Sequence, residues 1–86
     1  MAHPLTPETL AELRLLALFD LNSHQRGLKI HSHAAAEIIG AAERLFAKGL
    51  TSQHDGGYLT DLGYEAARAL RDVLDILDAE AEPHGH

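Results

Sequence analysis

Four histidines and four cations fall within residues 23–54 of this sequence: His24, His31, His33 and His54, with Arg26, Lys29, Arg44 and Lys48. Imidazoles in such number raise metal binding first. His31 and His33 are two residues apart, so on a strand they share a face, and His54 or Asp55 would approach them across a sheet. Two histidines alone rarely hold a metal tightly, and a helix starting at Ser32 to Ala34 breaks the strand geometry. The expectation is a surface or capping role, with no metal site and no cofactor; His84 and His86 are less specific still. Enzyme chemistry has little to stand on. There is no glycine-rich phosphate loop after a strand, no Gly-x-Ser-x-Gly elbow and no His-Glu-x-x-His helix. Asp72 and Asp75 read as the solvated face of a long helix rather than as an acid and base pair. The absence of cysteine removes thiolate zinc sites, cysteine nucleophiles and disulfides. No catalytic residue is expected, and so small a core leaves little room for a substrate cavity of about 300 Å³.

The cations lead elsewhere. A formal charge of −6 over 86 residues argues against nucleic acid, because phosphate binding is driven by Lys and Arg. That total hides a gradient: −2 over residues 1–22, +2 over 23–54 and −6 over 55–86, where eight acids face only Arg68 and Arg71. Basic residues on one side and acids on the other suit a nucleic-acid module. The candidate DNA contacts are Lys29, Arg44, Lys48, Gln53 and His54, with Arg44 and Lys48 on one helix face and Gln53 and His54 on a hairpin. The plainer alternative is that Arg44 and Lys48 solvate a helix face and pair with neighbouring glutamates.

A scaffold for these side chains can be read from periodicity and caps. A chain of this length supports one small domain, expected over residues 5–80, with a disordered tail at 81–86. No apolar run is long enough to span a membrane, and no signal-peptide layout opens the chain, so a cytoplasmic protein without a membrane partner is expected. Met1 to Pro4 reads as a frayed end. Thr6 caps a first helix from about Pro7 to Leu21, whose second half is apolar on most sides and needs cover on most sides. Leu28-Lys29-Ile30-His31 alternates as a short strand with Leu28 and Ile30 inward. A second helix runs from Ala34 to about Lys48, with Ser32 or His33 at its N-cap and Ser32 the better oxygen acceptor, and with Ile38, Ala42, Leu45 and Phe46 as its buried stripe. His33, Glu37, Gly40, Ala41, Arg44 and Lys48 lie on its outer face, and Gly49 closes it in a left-handed conformation. Leu50 to Thr60 forms a hairpin around Asp55-Gly56, pairing Gln53 with Tyr58 and Ser52 with Leu59. Thr60 caps a last helix whose apolar set is Leu62, Ala66, Ala69, Leu70, Val73, Ile76 and Leu77, stopped by Pro83. Gly63 in its first turn implies close packing against the hairpin or the second helix.

The stretch Leu45-Phe46-Ala47-Lys48-Gly49-Leu50 through Asp55-Gly56-Gly57-Tyr58-Leu59-Thr60-Asp61-Leu62-Gly63 resembles bacterial winged-helix regulators. In those families a recognition helix ends in a Leu-x-x-x-Gly-Leu step, a hairpin wing follows, and a Leu-Thr-x-x-Gly step opens the next helix. Leu45, Gly49, Leu50, Leu59, Thr60 and Gly63 occupy those positions. Residues 5–78 also resemble a family of short bacterial proteins labelled DNA-binding or transcriptional regulators. The resemblance implies a winged-helix-like α+β domain of three helices and a short three-stranded antiparallel sheet, in the order α-β-α-β-β-α. One departure stands out. A complete motif has two helices between its first strand and its wing. Only eighteen residues separate His31 from Leu50, room for one helix or for two short ones broken at Gly40.

The reading that follows is a non-catalytic, DNA-associated winged-helix-like protein, homodimeric through the first or the last helix. Its rival is a protein-interaction or structural module on the same scaffold that does not touch DNA. The first needs Arg44 and Lys48 exposed beside a free wing. The second has that face masked by Glu37 and Glu43 or buried in an interface.

Overall fold

The computed structural model describes residues 5–22 and 27–81, without the side chains of residues 80 and 81; Met1–Pro4, His24, Arg26 and the tail from Glu82, Pro83 included, lie outside the described residues. Six elements appear in the expected α+β order: α1 (Pro7–Leu16), β1 (Leu28–Lys29), α2 (Ala36–Ala47), β2 (Thr51–Gln53), β3 (Gly56–Leu59) and α3 (Asp61–Ala81). None of the described helices is long and apolar enough to cross a membrane.

The caps of α1 and α3 form as their residue types dictate. Thr6 Oγ1 accepts from the Thr9 amide at 3.1 Å with Pro7 opening the helix, and Thr60 Oγ1 accepts from the Gly63 amide at 3.0 Å. Helix α1 stops at Leu16 rather than Leu21. The amides of Leu18 and Phe19 turn back to carbonyls three residues earlier, and the Asp20 carboxylate accepts from the Asn22 amide at 2.9 Å, drawing the backbone out of the helix. Phe19 is thereby buried and Leu18 left exposed.

Helix α2 is a single helix through Gly40, which removes the two-helix alternative. It begins at Ala36 with Ala35 in the capping position and no side-chain cap, because residues 31–34 make a turn of their own, closed by the Ala34 amide on the His31 carbonyl at 3.0 Å. Ser32 therefore caps nothing at its start. Its buried stripe is Ala41, Ala42 and Leu45; Phe46 is exposed and Ile38 half-buried. Ala41, expected on the outer face, is fully buried in the cluster it forms with Ala11, Leu15, Leu16, Ala42, Leu45 and Ala67. The helix has thus rotated its basic face toward α1. Gly49 ends the turn after it at φ +82°, as expected.

The sheet has the order β1-β3-β2, all antiparallel. Leu28 and Ile30 are half-buried, with Lys29 and His31 exposed, although only Leu28 and Lys29 form the strand. The hairpin turn is centred on His54-Asp55, one residue earlier than expected: Gln53 pairs with Gly56 and Thr51 with Leu59, leaving a bulge on β3. The cause lies at Gly56, which faces Lys29 of β1 at φ +116°, where an added Cβ would strike the Leu28 carbonyl. Gly56 is needed in the sheet, so it is not spent in the turn.

Helix α3 packs through Gly63, Ala66, Ala67 and Leu70, and then leaves the body. Every residue from Arg71 to Ala79 is exposed, including Val73, Ile76 and Leu77 of its apolar set; Leu62 is exposed too. A helix of 21 residues is about 31 Å long. The body is too small to cover it: the described chain extends 47 Å in one direction and 29 Å in the other two.

Candidate functional site

The candidate DNA contacts do not form one surface. Arg44 and Lys48, four residues apart on α2, share a face as expected, but both are bound to Glu12 of α1. Arg44 Nε donates to Glu12 Oε2 at 2.7 Å, Lys48 Nζ donates to Glu12 Oε1, and an Arg44 guanidinium nitrogen also donates to the Glu8 carbonyl at 3.2 Å. Glu12 is only 8% exposed. Burial by itself would raise its carboxyl pKa, and the hydrogen bonds and charges of Lys48 and Arg44 outweigh that cost and hold it below the ordinary glutamate value. The cations are paired, though not with Glu37 or Glu43, and the Arg44 and Lys48 side chains remain 37% and 56% exposed.

Sequence reasoning passed over Glu12, and a signal was present. It stands between Ala11 and Leu13 in a run that also holds Leu15 and Leu16, on a helix whose apolar side is buried. A carboxylate on such a face is almost never buried unless paired, so a cation had to come to it from elsewhere in the chain.

Lys29 is paired as well. Its Nζ donates to Asp55 Oδ2 at 2.6 Å across the sheet, and this hydrogen bond is the main reason that the Asp55 carboxyl lies below its usual range. Gln53 and His54 are exposed at the end of the hairpin. Beside them opens a cleft of 390 Å³ between α2 and the hairpin, larger than a core of this size promised. Ile30, Ile39 and Ala42 line its more buried part, with His31, His54 and Glu43 exposed around it. Arg44 borders a different groove, against Pro7, Glu8 and Ala11. His31 and His54 thus meet at one cleft, yet among the described residues no three His, Asp or Glu side chains are grouped to hold a metal ion.

Residues 3–78 match the profile of a family described as a family of unknown function (DUF5669). The chain belongs to this family. No curated protein and no solved structure matches it. The DUF5669 match spans all of α1, both helix-capping threonines, the Glu12 cluster and the sheet, and it runs along α3 as far as Asp78. The exposed apolar residues Val73, Leu74, Ile76 and Leu77 therefore fall inside the DUF5669 region and not in an appendage to it.

Proposed function

We propose that the chain is a non-catalytic protein-interaction module on a winged-helix-like scaffold, with one helix where a DNA-reading member carries two. The observation that supports this reading is the capture of Arg44 and Lys48 by Glu12. A helix that reads the major groove must offer its polar face to the duplex. Here the charges of that face are offset by Glu12 of α1, and the cation on the neighbouring strand, Lys29, is paired with Asp55. Besides Arg44 and Lys48, α2 exposes Glu37, Glu43, Phe46 and Ala47, so its outer surface adds acids and no further cation. The large apolar side chains left uncovered are concentrated on α3 instead, and a contiguous exposed apolar surface marks a place where another macromolecule binds.

The exposure of Gln53 and His54 at the hairpin tip favours a second reading, in which the hairpin touches DNA phosphates in a transcription-associated role. Fluorescence anisotropy with long mixed-sequence duplex DNA at low salt separates the two. The interaction reading expects no saturable, salt-sensitive rise on adding the protein. Binding that weakens in Lys48→Ala, with its salt slope reduced by about one, would overturn it in favour of DNA.

A further inference from the structure

We infer that the exposed half of α3 binds a second copy of this chain, antiparallel, about a twofold axis level with Asp75. The inference rests on the protein-interaction reading and names its partner. Val73, Leu74, Ile76 and Leu77 are 52%, 38%, 60% and 56% exposed, with no element of the described chain beyond α3 itself covering them. Two of these residues precede Asp75 and two follow it. A twofold axis at that level therefore lays Val73 and Leu74 of one copy beside Leu77 and Ile76 of the other, the self-complementarity that a closed dimer requires.

Charge fixes the direction. No Lys or Arg follows Arg71, while Asp72, Asp75, Asp78, Glu80 and Glu82 do. Parallel helices would set each of those acids beside its own copy. In the antiparallel arrangement Arg71 comes level, to within about one 1.5 Å residue rise, with Asp78 of the second copy. Arg71 and Asp78 are seven residues apart, hence on the same flank of α3, and antiparallel pairing brings like flanks together, so the match occurs twice by symmetry. Asp72 comes level with Asp78 of the second copy but on the opposite flank, and Asp75 comes level with its own copy on the side of α3 away from the apolar residues, so neither acid is pressed against another in the seam. Four large apolar residues per copy make a contact below the roughly 1,200 Å² of a standard interface, so the dimer should dissociate on dilution.

Sedimentation equilibrium on the full chain tests this. The mass should climb from 9.3 kDa toward twice that value as concentration rises from about 1 μM to about 1 mM. Ile76→Asp should stay monomeric with the far-ultraviolet circular dichroism of the parent, since the residue is exposed and not part of the core. Arg71→Glu and Asp78→Arg should each weaken the dimer by about three- to tenfold, and the two together should restore it. A monomer at about 1 mM, or a dimer indifferent to Ile76→Asp, overturns the inference; failure of the double variant to recover overturns the antiparallel geometry. A monomer that also ignores DNA removes the second copy as partner and leaves the protein-interaction reading standing, whereas salt-sensitive DNA binding by a dimer removes that reading and keeps the dimer.

Discussion

Gly63, in the first turn of α3, sits directly against the carbonyl of Leu50, the residue through which α2 passes into the hairpin. The same carbonyl accepts the Thr60 amide at 3.1 Å, so the helix start is both bonded to and in contact with that junction. A Cβ at position 63 has backbone to displace, not a flexible side-chain end. Gly63→Val should therefore cost about 2 kcal/mol by overpacking, or about 8 °C or more of melting temperature in a chain this short. Gly63→Ala should also destabilise, although Ala improves helix propensity by up to about 1 kcal/mol. Thermal melts of both variants decide; an unchanged midpoint would refute the packing account.

Thr60 works in two directions. Its hydroxyl accepts from the Gly63 amide and donates to the Gly49 carbonyl at 2.6 Å, joining the end of one helix to the start of the next. Thr60→Ala should lose about 1 to 2 kcal/mol, and Thr60→Ser should recover most of it because the oxygen is what matters. Urea midpoints at constant slope provide the measurement.

Glu12 ties stability to acid. Its carboxyl titrates below the ordinary value in the folded chain, so the stabilisation from its pairs is fully present above the unfolded pKa of about 4.5 and is lost as pH falls through the lower folded value. Glu12→Gln should cost about 1 to 2 kcal/mol at pH 7, less than the loss of a fully buried pair, because Arg44 and Lys48 can turn to water. The gap between parent and variant should close as pH falls from neutral to below 4.5. Melts across that range check it, and a gap independent of pH would show that the pairs contribute nothing.

Caps and order of elements were legible because each is local: Thr6, Thr60 and Gly49 act within a few residues of themselves. What was not legible depends on contacts distant in sequence. The choice of buried face on α2 turned on Glu12, 32 residues before Arg44, and the hairpin register turned on β1, which needs Gly56 against Leu28. The apolar period of α3 was legible as a stripe, but the point at which the body stops covering it was not. Periodicity says which side of a helix is apolar, and only the size of the body says how far along the helix that side is covered. For the candidate site the same limit applied. Residue types placed five polar groups near a hairpin and a helix, but their electrostatic partners came from α1 and from the hairpin turn itself.

The strand order β1-β3-β2 puts the longest strand in the middle and leaves the outer edges to segments of two and three residues. An incoming chain needs a row of unpaired backbone groups to extend a sheet, and edges this short offer almost none. The fold is thus protected against growth into ladders or fibrils on its β side, and its uncovered large apolar side chains are concentrated on helix α3, where association is set by side-chain shape and charge and can end at a defined number of copies.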